Sequence, residues 1–114
     1  MVYRTLKKPW QFREVYRRGK KIDGKCAVLF YYRTGDDSEG MRIGVVASRK
    51  VGGAVARNRA KRRIREALRC QAGWICHDDL WIVVVARSAI LNETYQALTN
   101  ELERQLRRGG LIDK

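Results

Sequence analysis

Histidine is nearly absent from this chain, with His77 standing alone among 114 residues. The commonest general base therefore has a single candidate, and a metal-dependent nuclease would need converging carboxylates instead. Those are scarce as well. Asp and Glu number 12 against 25 Lys and Arg, and the ones that cluster, Asp36-Asp37-Glu39 and Asp78-Asp79, read as solvated loop residues. The three cysteines, Cys26, Cys70 and Cys76, form no CxxC pair, and their odd number argues against a disulfide framework. Even together with His77 their spacing matches no zinc finger or knuckle, so they read as free thiols rather than ligands. No apolar stretch reaches membrane-spanning length, and the start Met1 to Lys8 lacks the apolar core of a secretory signal. The reading is a protein of a reducing cytoplasm.

What the chain does have is positive charge on a globular background. Its hydrophobic fraction of 45% is ordinary for a folded domain, and its length suits one domain with a modest core. A net charge of +13 and a pI of about 10.3 point to a polyanionic partner. Nucleic acid is the better match than a membrane surface, because the basic segment lacks the Trp, Phe and Leu face that interfacial helices bury in lipid.

That segment runs from Arg49 to Arg65 and carries eight cationic side chains around the glycine break Gly52-Gly53. Read as a helix from about Ala54 to Cys70, it places Ala56, Ala60, Ile64, Ala67 and Leu68 at spacings of three and four, one narrow stripe fit for burial. Arg57, Lys61, Arg65 and Arg69 follow one flank of the stripe, while Arg59, Arg62 and Arg63 spread over the outer face. Like charges on successive turns repel, a destabilising pattern that a polyanion relieves. Val51-Gly52-Gly53-Ala54 lacks the following Gly-Lys-Ser/Thr of a nucleotide-binding loop, so the glycines read as turn geometry. The free amides of the helix start can still receive one backbone phosphate of a larger nucleic acid.

Around it, Pro9 marks the first turn of a short helix stopped by Gly19, with Phe12, Val15 and Tyr16 on one side. Cys26 to Tyr32 and Met41 to Ser48 read as strands flanking an acidic loop, expected to pair as a hairpin, and Lys20 to Gly24 offers a short extra strand. Leu80 to Arg87 is a continuous apolar run, hence a central strand covered on both faces. Tyr95, Leu98, Leu102 and Leu106 recur at helical spacing, with Asn92 as the expected N-cap and Gly109-Gly110 as the stop. The expected architecture is α+β: three helices packed on a mixed four-stranded sheet.

Strand alternation puts Val28, Phe30 and Tyr32 on one face and Leu29 and Tyr31 on the other. If the first helix lies against this sheet, Phe12 and Tyr16 meet the Val28 and Phe30 face. The result is either plain core packing or an aromatic-lined groove on which single-stranded bases stack, and both readings stay open.

At this point a family comes into view. Lys50-x-Gly52-x-Ala54-Val55-x-Arg57-Asn58-Arg59-x-Lys61-Arg62-x-x-Arg65 resembles the arginine-asparagine-arginine signature of the bacterial ribonuclease P protein component. Leu6-Lys7-Lys8 with Phe12-x-x-Val15-Tyr16-x-x-Gly19 is similar to the family's first helix, Arg42-x-Gly44 to its next strand, and Ala86-Arg87 to the end of its core strand. Tyr16 stands where phenylalanine is common, and Trp10 where a polar residue is usual, without an assigned role.

The resemblance implies a single domain over residues 1–114, an α/β sandwich with an unusual left-handed βαβ crossover through the basic helix, against the usual right-handed rule. It implies the protein subunit of a ribonucleoprotein endonuclease that removes the 5′ leader of precursor tRNA. The RNA subunit would supply the active site and bind the magnesium, with no catalytic or metal residue on this chain and a 1:1 complex of monomeric protein and ribonuclease P RNA. On this basis Arg49, Lys50, Arg57, Asn58, Arg59, Lys61, Arg62 and Arg65 are expected to contact the catalytic RNA. Phe12, Tyr16, Val28, Phe30, Val46 and Arg87 are expected to line the leader groove. Two other classes compete: a structural RNA-binding protein, which would not raise tRNA processing when added to ribonuclease P RNA at low magnesium, and a self-sufficient nuclease, which would cleave without RNA.

Overall fold

The computed structural model describes residues 4–36 and 40–113. Asp37 and Glu39 of the acidic loop, like Met1 to Tyr3, lie outside the described residues. Five strands and three helices follow in the order β1 (Arg4–Thr5), α1 (Pro9–Arg18), β2 (Lys20–Ile22), β3 (Ala27–Arg33), β4 (Arg42–Ala47), α2 (Ala54–Gln71), β5 (Leu80–Ala86) and α3 (Tyr95–Arg108). Single 3-10 turns at Ala72–Trp74 and Ser88–Leu91 flank β5.

The sheet has five strands rather than four, in the order β1-β4-β5-β3-β2. The addition is β1, a two-residue edge strand parallel to β4. Two residues carry no alternation to read. What holds them is non-local: Arg4 N donates to Met41 O at 3.2 Å, Leu6 N donates to Ile43 O at 3.1 Å, and the Leu6 side chain is buried.

The expected hairpin of β3 and β4 does not form. β5 lies between them, antiparallel to β3 and parallel to β4. The physical reason is burial on both sides. β5 is the most continuously apolar strand, with Leu80, Ile82, Val83 and Val84 fully buried, and only a central position gives it a neighbour at each edge and cover on each face. β4 and β5, joined through α2, are parallel, as β1 and β4 are.

Side-chain alternation then sorts the core into two layers. On one face Leu29, Ile43, Ile82 and Val84 pack against Ala60, Ile64 and Leu68 of α2 and Leu98, Leu102 and Leu106 of α3. Each such leucine contributes about 1.5 to 3 kcal/mol by leaving water. On the other face α1 alone supplies the cover, with Val15 fully buried among Leu6, Trp81 and Val83.

The ends of the helices show where local signals held. Pro9 opens α1 and Gly19 caps it through Gly19 N donating to Val15 O at 2.9 Å. At α3 the cap is Thr94, not Asn92: its hydroxyl accepts from Ala97 N at 3.1 Å, while Asn92 closes the preceding 3-10 turn. Both residue types cap well, and the turn at Ser88–Leu91 decides which one sits at the helix start.

Candidate nucleic-acid interface

β4 ends in a tight turn, with Val51 N donating to Ser48 O at 3.1 Å and Gly52 N donating to Arg49 O at 3.2 Å. Gly52 has φ of 146°, and a Cβ there would stand 2.9 Å from the Cβ of Ala56, so both backbone and space call for glycine. α2 then starts at Gly53 without a side-chain cap, which leaves its first amides to solvent or an anion.

α2 buries Ala60, Ile64, Ala67 and Leu68, while Ala56 is only half-buried. Asn58, Arg59, Arg62 and Arg65 are exposed, and Arg57 and Lys61 lie half-buried along the flank. Arg63 is different. Its guanidinium donates to Glu93 O in the loop before α3, so it ties two elements together and is spent on structure. The ion pairs among the described residues use Arg17, Arg18, Lys21, Lys25, Arg33, Arg87 and Arg107, and α2 contributes none of these cations. The paired carboxylates neutralise charge elsewhere and Glu66 is the one acidic residue of α2, so the field of α2 stays cationic and points outward.

The second surface lies across the sheet, beside α1. Gln11 and Val15 form the buried line of this helix, with Phe12 and Tyr16 on one flank and Trp10 and Glu14 on the other. The Phe12 ring lies on the backbone of Gly44, where a Cβ would come within 2.6 Å of it. Tyr16, 42% exposed, meets Phe30 edge-on with ring centroids 4.9 Å apart. Burial pushes the Tyr16 hydroxyl above its ordinary pKa, so it stays protonated at neutral pH. The next row of the sheet runs Val28, Val85, Val46 across β3, β5 and β4.

At that row an open groove of about 460 Å³ is lined by Val28, Val85, Ser48, Lys50, Arg87 and Ser88. Its floor is apolar and its rim cationic. Lys50 stands both at this rim and in the turn that opens α2, so groove and basic helix meet there. Of the six residues expected to line a leader groove, Val28 and Arg87 line this one; Phe12 is packed on Gly44, Tyr16 keeps an exposed face against Phe30, and neither they nor Val46 are part of its lining.

Val85, Ser48 and Ser88 were missed as lining residues. Alternation along β5 puts Val85 on the right face, but the expected hairpin set β3 directly beside β4 and left no strand between them. With β5 inserted, the floor gains one strand spacing of about 4.8 Å. The groove wall at β3 is pinned from behind by α3: the buried Glu101 carboxylate accepts from Cys26 N at 2.9 Å and Ala27 N at 3.0 Å. Burial, then the charges of Glu101 and Glu93, pushes the Cys26 thiol up to about 11, which leaves it an unreactive core thiol. Cys70 and Cys76 are exposed.

Asp78 is exposed as expected, but Asp79 is a buried structural residue. Its carboxylate accepts from Arg33 Nε at 3.1 Å and from Gly35 N at 3.1 Å, and its carbonyl accepts from Thr34 N at 2.9 Å. Burial raises its pKa, and the Arg33 and Gly35 donors together outweigh that and leave it below the ordinary value.

Comparison with known proteins shows the family and the fold. Residues 2–110 match the Ribonuclease P family. The ribonuclease P protein component of Clostridium novyi is 34% identical over 108 residues, covering 95% of each chain. That of Gluconacetobacter diazotrophicus is 38% identical over 106 residues, 93% of this chain and 90% of the other. The RNase P protein of Staphylococcus aureus superposes with a TM-score of 0.82 at 27% identity, covering 99% of this chain and all of that one. For the protein from Thermotoga maritima the TM-score is 0.78, also at 27% identity and 99% coverage of this chain.

Proposed function

The chain belongs to the family of bacterial ribonuclease P protein components, and from that membership we propose how its two surfaces divide the work. The turn residues Arg49 and Lys50 and, on the outer side and flank of α2, Arg57, Asn58, Arg59, Lys61, Arg62 and Arg65 bind the catalytic RNA through its phosphates. The groove lined by Val28 and Arg87, continued toward α1 by Val46 and by Phe12, Tyr16 and Phe30 on the same face of the sheet, holds the single-stranded 5′ leader of precursor tRNA. The reading places the work in the cytoplasm, one protein to one RNA.

The observation that carries it is the meeting of the two surfaces at Ser48–Lys50. An RNA lying on α2 and a strand lying in the groove are neighbours there, so one rigid turn sets the distance between catalytic RNA and substrate leader. An apolar floor with a cationic rim suits bases below and phosphates above, whatever their sequence. Among the described residues no three His, Cys, Asp or Glu side chains converge as metal ligands. The magnesium and the reacting phosphate are assigned to the RNA subunit.

Reconstitution tests the reading. Added to ribonuclease P RNA at low magnesium, the chain should raise precursor cleavage at the mature 5′ end many-fold, and it should cleave nothing alone. Unchanged cleavage on addition favours a structural RNA-binding role, and magnesium-dependent cleavage by RNA-free protein moves the chemistry into this chain.

A further inference from the structure

The other flank of α1 carries a second opening. Trp10, 49% exposed, meets Trp81 edge-on at 5.8 Å, and Tyr32 meets Trp81 at 6.4 Å, so three rings converge. They share a cavity of about 280 Å³ with Glu14, Thr34 and Asp36. Drug-sized ligands occupy about 300 to 1,000 Å³, so this space suits one small planar group. Its Thr34 side is held in place by Asp79, whose carbonyl accepts from both Thr34 N and the Thr34 hydroxyl. Arg18 donates to the Tyr32 hydroxyl at 3.4 Å, and Arg17 and Arg18 both pair with Glu14, at 2.8 and 3.3 Å.

We propose that this pocket seats one unpaired nucleobase bearing an exocyclic amine, separate from the leader groove. The rings offer stacking faces, and a carboxylate is the acceptor that reads an amino group on a base. A carboxylate has about four lone-pair directions, of which Glu14 gives two to arginines, so it can accept again. Arg17 and Arg18 stand beside the opening as partners for the flanking phosphate. A free cation would also suit rings and carboxylates. The chain's net charge of +13 repels it, while the same charge draws in a nucleic acid. Tyr32 and Trp81 lie four residues along their strands from Val28 and Val85, about 13 Å away with α1 between, so a base here is not the neighbour of one in the groove.

The proposal rests on the reading that the chain works on RNA, not on the leader groove. Its test uses the full chain carrying Trp74→Phe, which leaves only the two pocket tryptophans of the three in the sequence. Titration with single-stranded oligoadenylate or oligocytidylate should quench the fluorescence, and oligouridylate, without the amine, should bind several-fold more weakly. Trp10→Ala should weaken oligoadenylate binding about 5- to 150-fold, the stacking range, with an unchanged melting temperature because Trp10 is half exposed. Trp10→Phe should restore it, and Glu14→Gln should shrink the preference over uridylate. Equal affinity for all three homopolymers, unchanged affinity in Trp10→Ala, or quenching by the guanidinium compound agmatine in place of oligonucleotide each overturns the proposal. Failure here with intact stimulation of ribonuclease P RNA leaves the functional reading standing, and loss of stimulation with intact quenching does the reverse.

Discussion

The two faces of the sheet are covered to different extents. Behind it, α2 and α3 seal a continuous layer in which Leu98, Leu102 and Leu106 are fully buried. In front, the ten-residue helix α1 crosses alone and leaves an opening on each flank. One flank is rimmed by Lys50 and Arg87, the other by Glu14 and Asp36. The sealed face is where stability resides, and the half-covered face is where apolar surface remains for ligands. Between the two front openings, the polar residues at their rims set the difference in charge.

The largest effect separates the charged back of the molecule from both front sites. Replacing Arg57, Arg59, Lys61 and Arg65 together by Ala should weaken binding to ribonuclease P RNA by orders of magnitude and reduce the slope of log affinity against log salt by about three. Melting should hardly change, since these side chains lie off the buried Ala60 and Ile64 stripe. A slope equal to that of the parent chain contradicts the assignment of α2.

Next comes the sealed face itself. Leu102→Ala empties a fully buried site and should lower folding stability by about 2 to 5 kcal/mol, with catalytic-RNA affinity of the folded fraction unaltered. Denaturant unfolding and binding on one preparation check both halves. A fall in affinity without loss of stability would make the two faces energetically one.

The open face should respond the other way. Tyr16→Ala is expected to reduce holoenzyme affinity for precursor tRNA with a leader of several nucleotides by roughly tenfold and leave mature tRNA untouched. Its melting shift should be small because the ring is partly exposed. Phe12→Ala should lower both affinity and stability, since its ring is packed on Gly44. Equal losses for precursor and mature tRNA in Tyr16→Ala would return that ring to the core.

The smallest effect concerns the rim of the acidic pocket. The Asp79 carboxyl titrates below its ordinary value in the folded chain, so its stabilisation is complete above the unfolded pKa of about 3.9 and fades as pH falls through the folded one. Asp79→Asn should therefore cost about 1.5 kcal/mol at neutral pH, the low end for hydrogen bonds to a charged group, and nothing in strong acid. A stability gap that persists at low pH would assign the loss to packing instead of charge.

Much of this was legible locally. Pro9 and Gly19 bounded α1, the stripe through Ala60 and Ile64 told which side of α2 is buried, and the unbroken run Leu80–Ala86 announced the central strand. Each is a signal confined to one turn or one period. Thr94 over Asn92 as the cap, and Asp79 as a buried anchor rather than a loop solubiliser, were not legible, because both depend on groups far off in the chain or on a turn without periodicity.

The sequence by itself determined the composition of the surfaces: a cationic helix with one apolar stripe, aromatic residues spaced to one side of a strand and of a short helix, and the family signature from Lys50 to Arg65. Only the tertiary structure decided neighbours. Alternation says which face a side chain takes but not which strand lies beside it, and loop closure changes too slowly with length to choose a partner. Burying β5 on both edges made that choice. It placed Val85 between Val28 and Val46, widened the groove, and brought Trp81 under Trp10 and Tyr32 on the far side of α1.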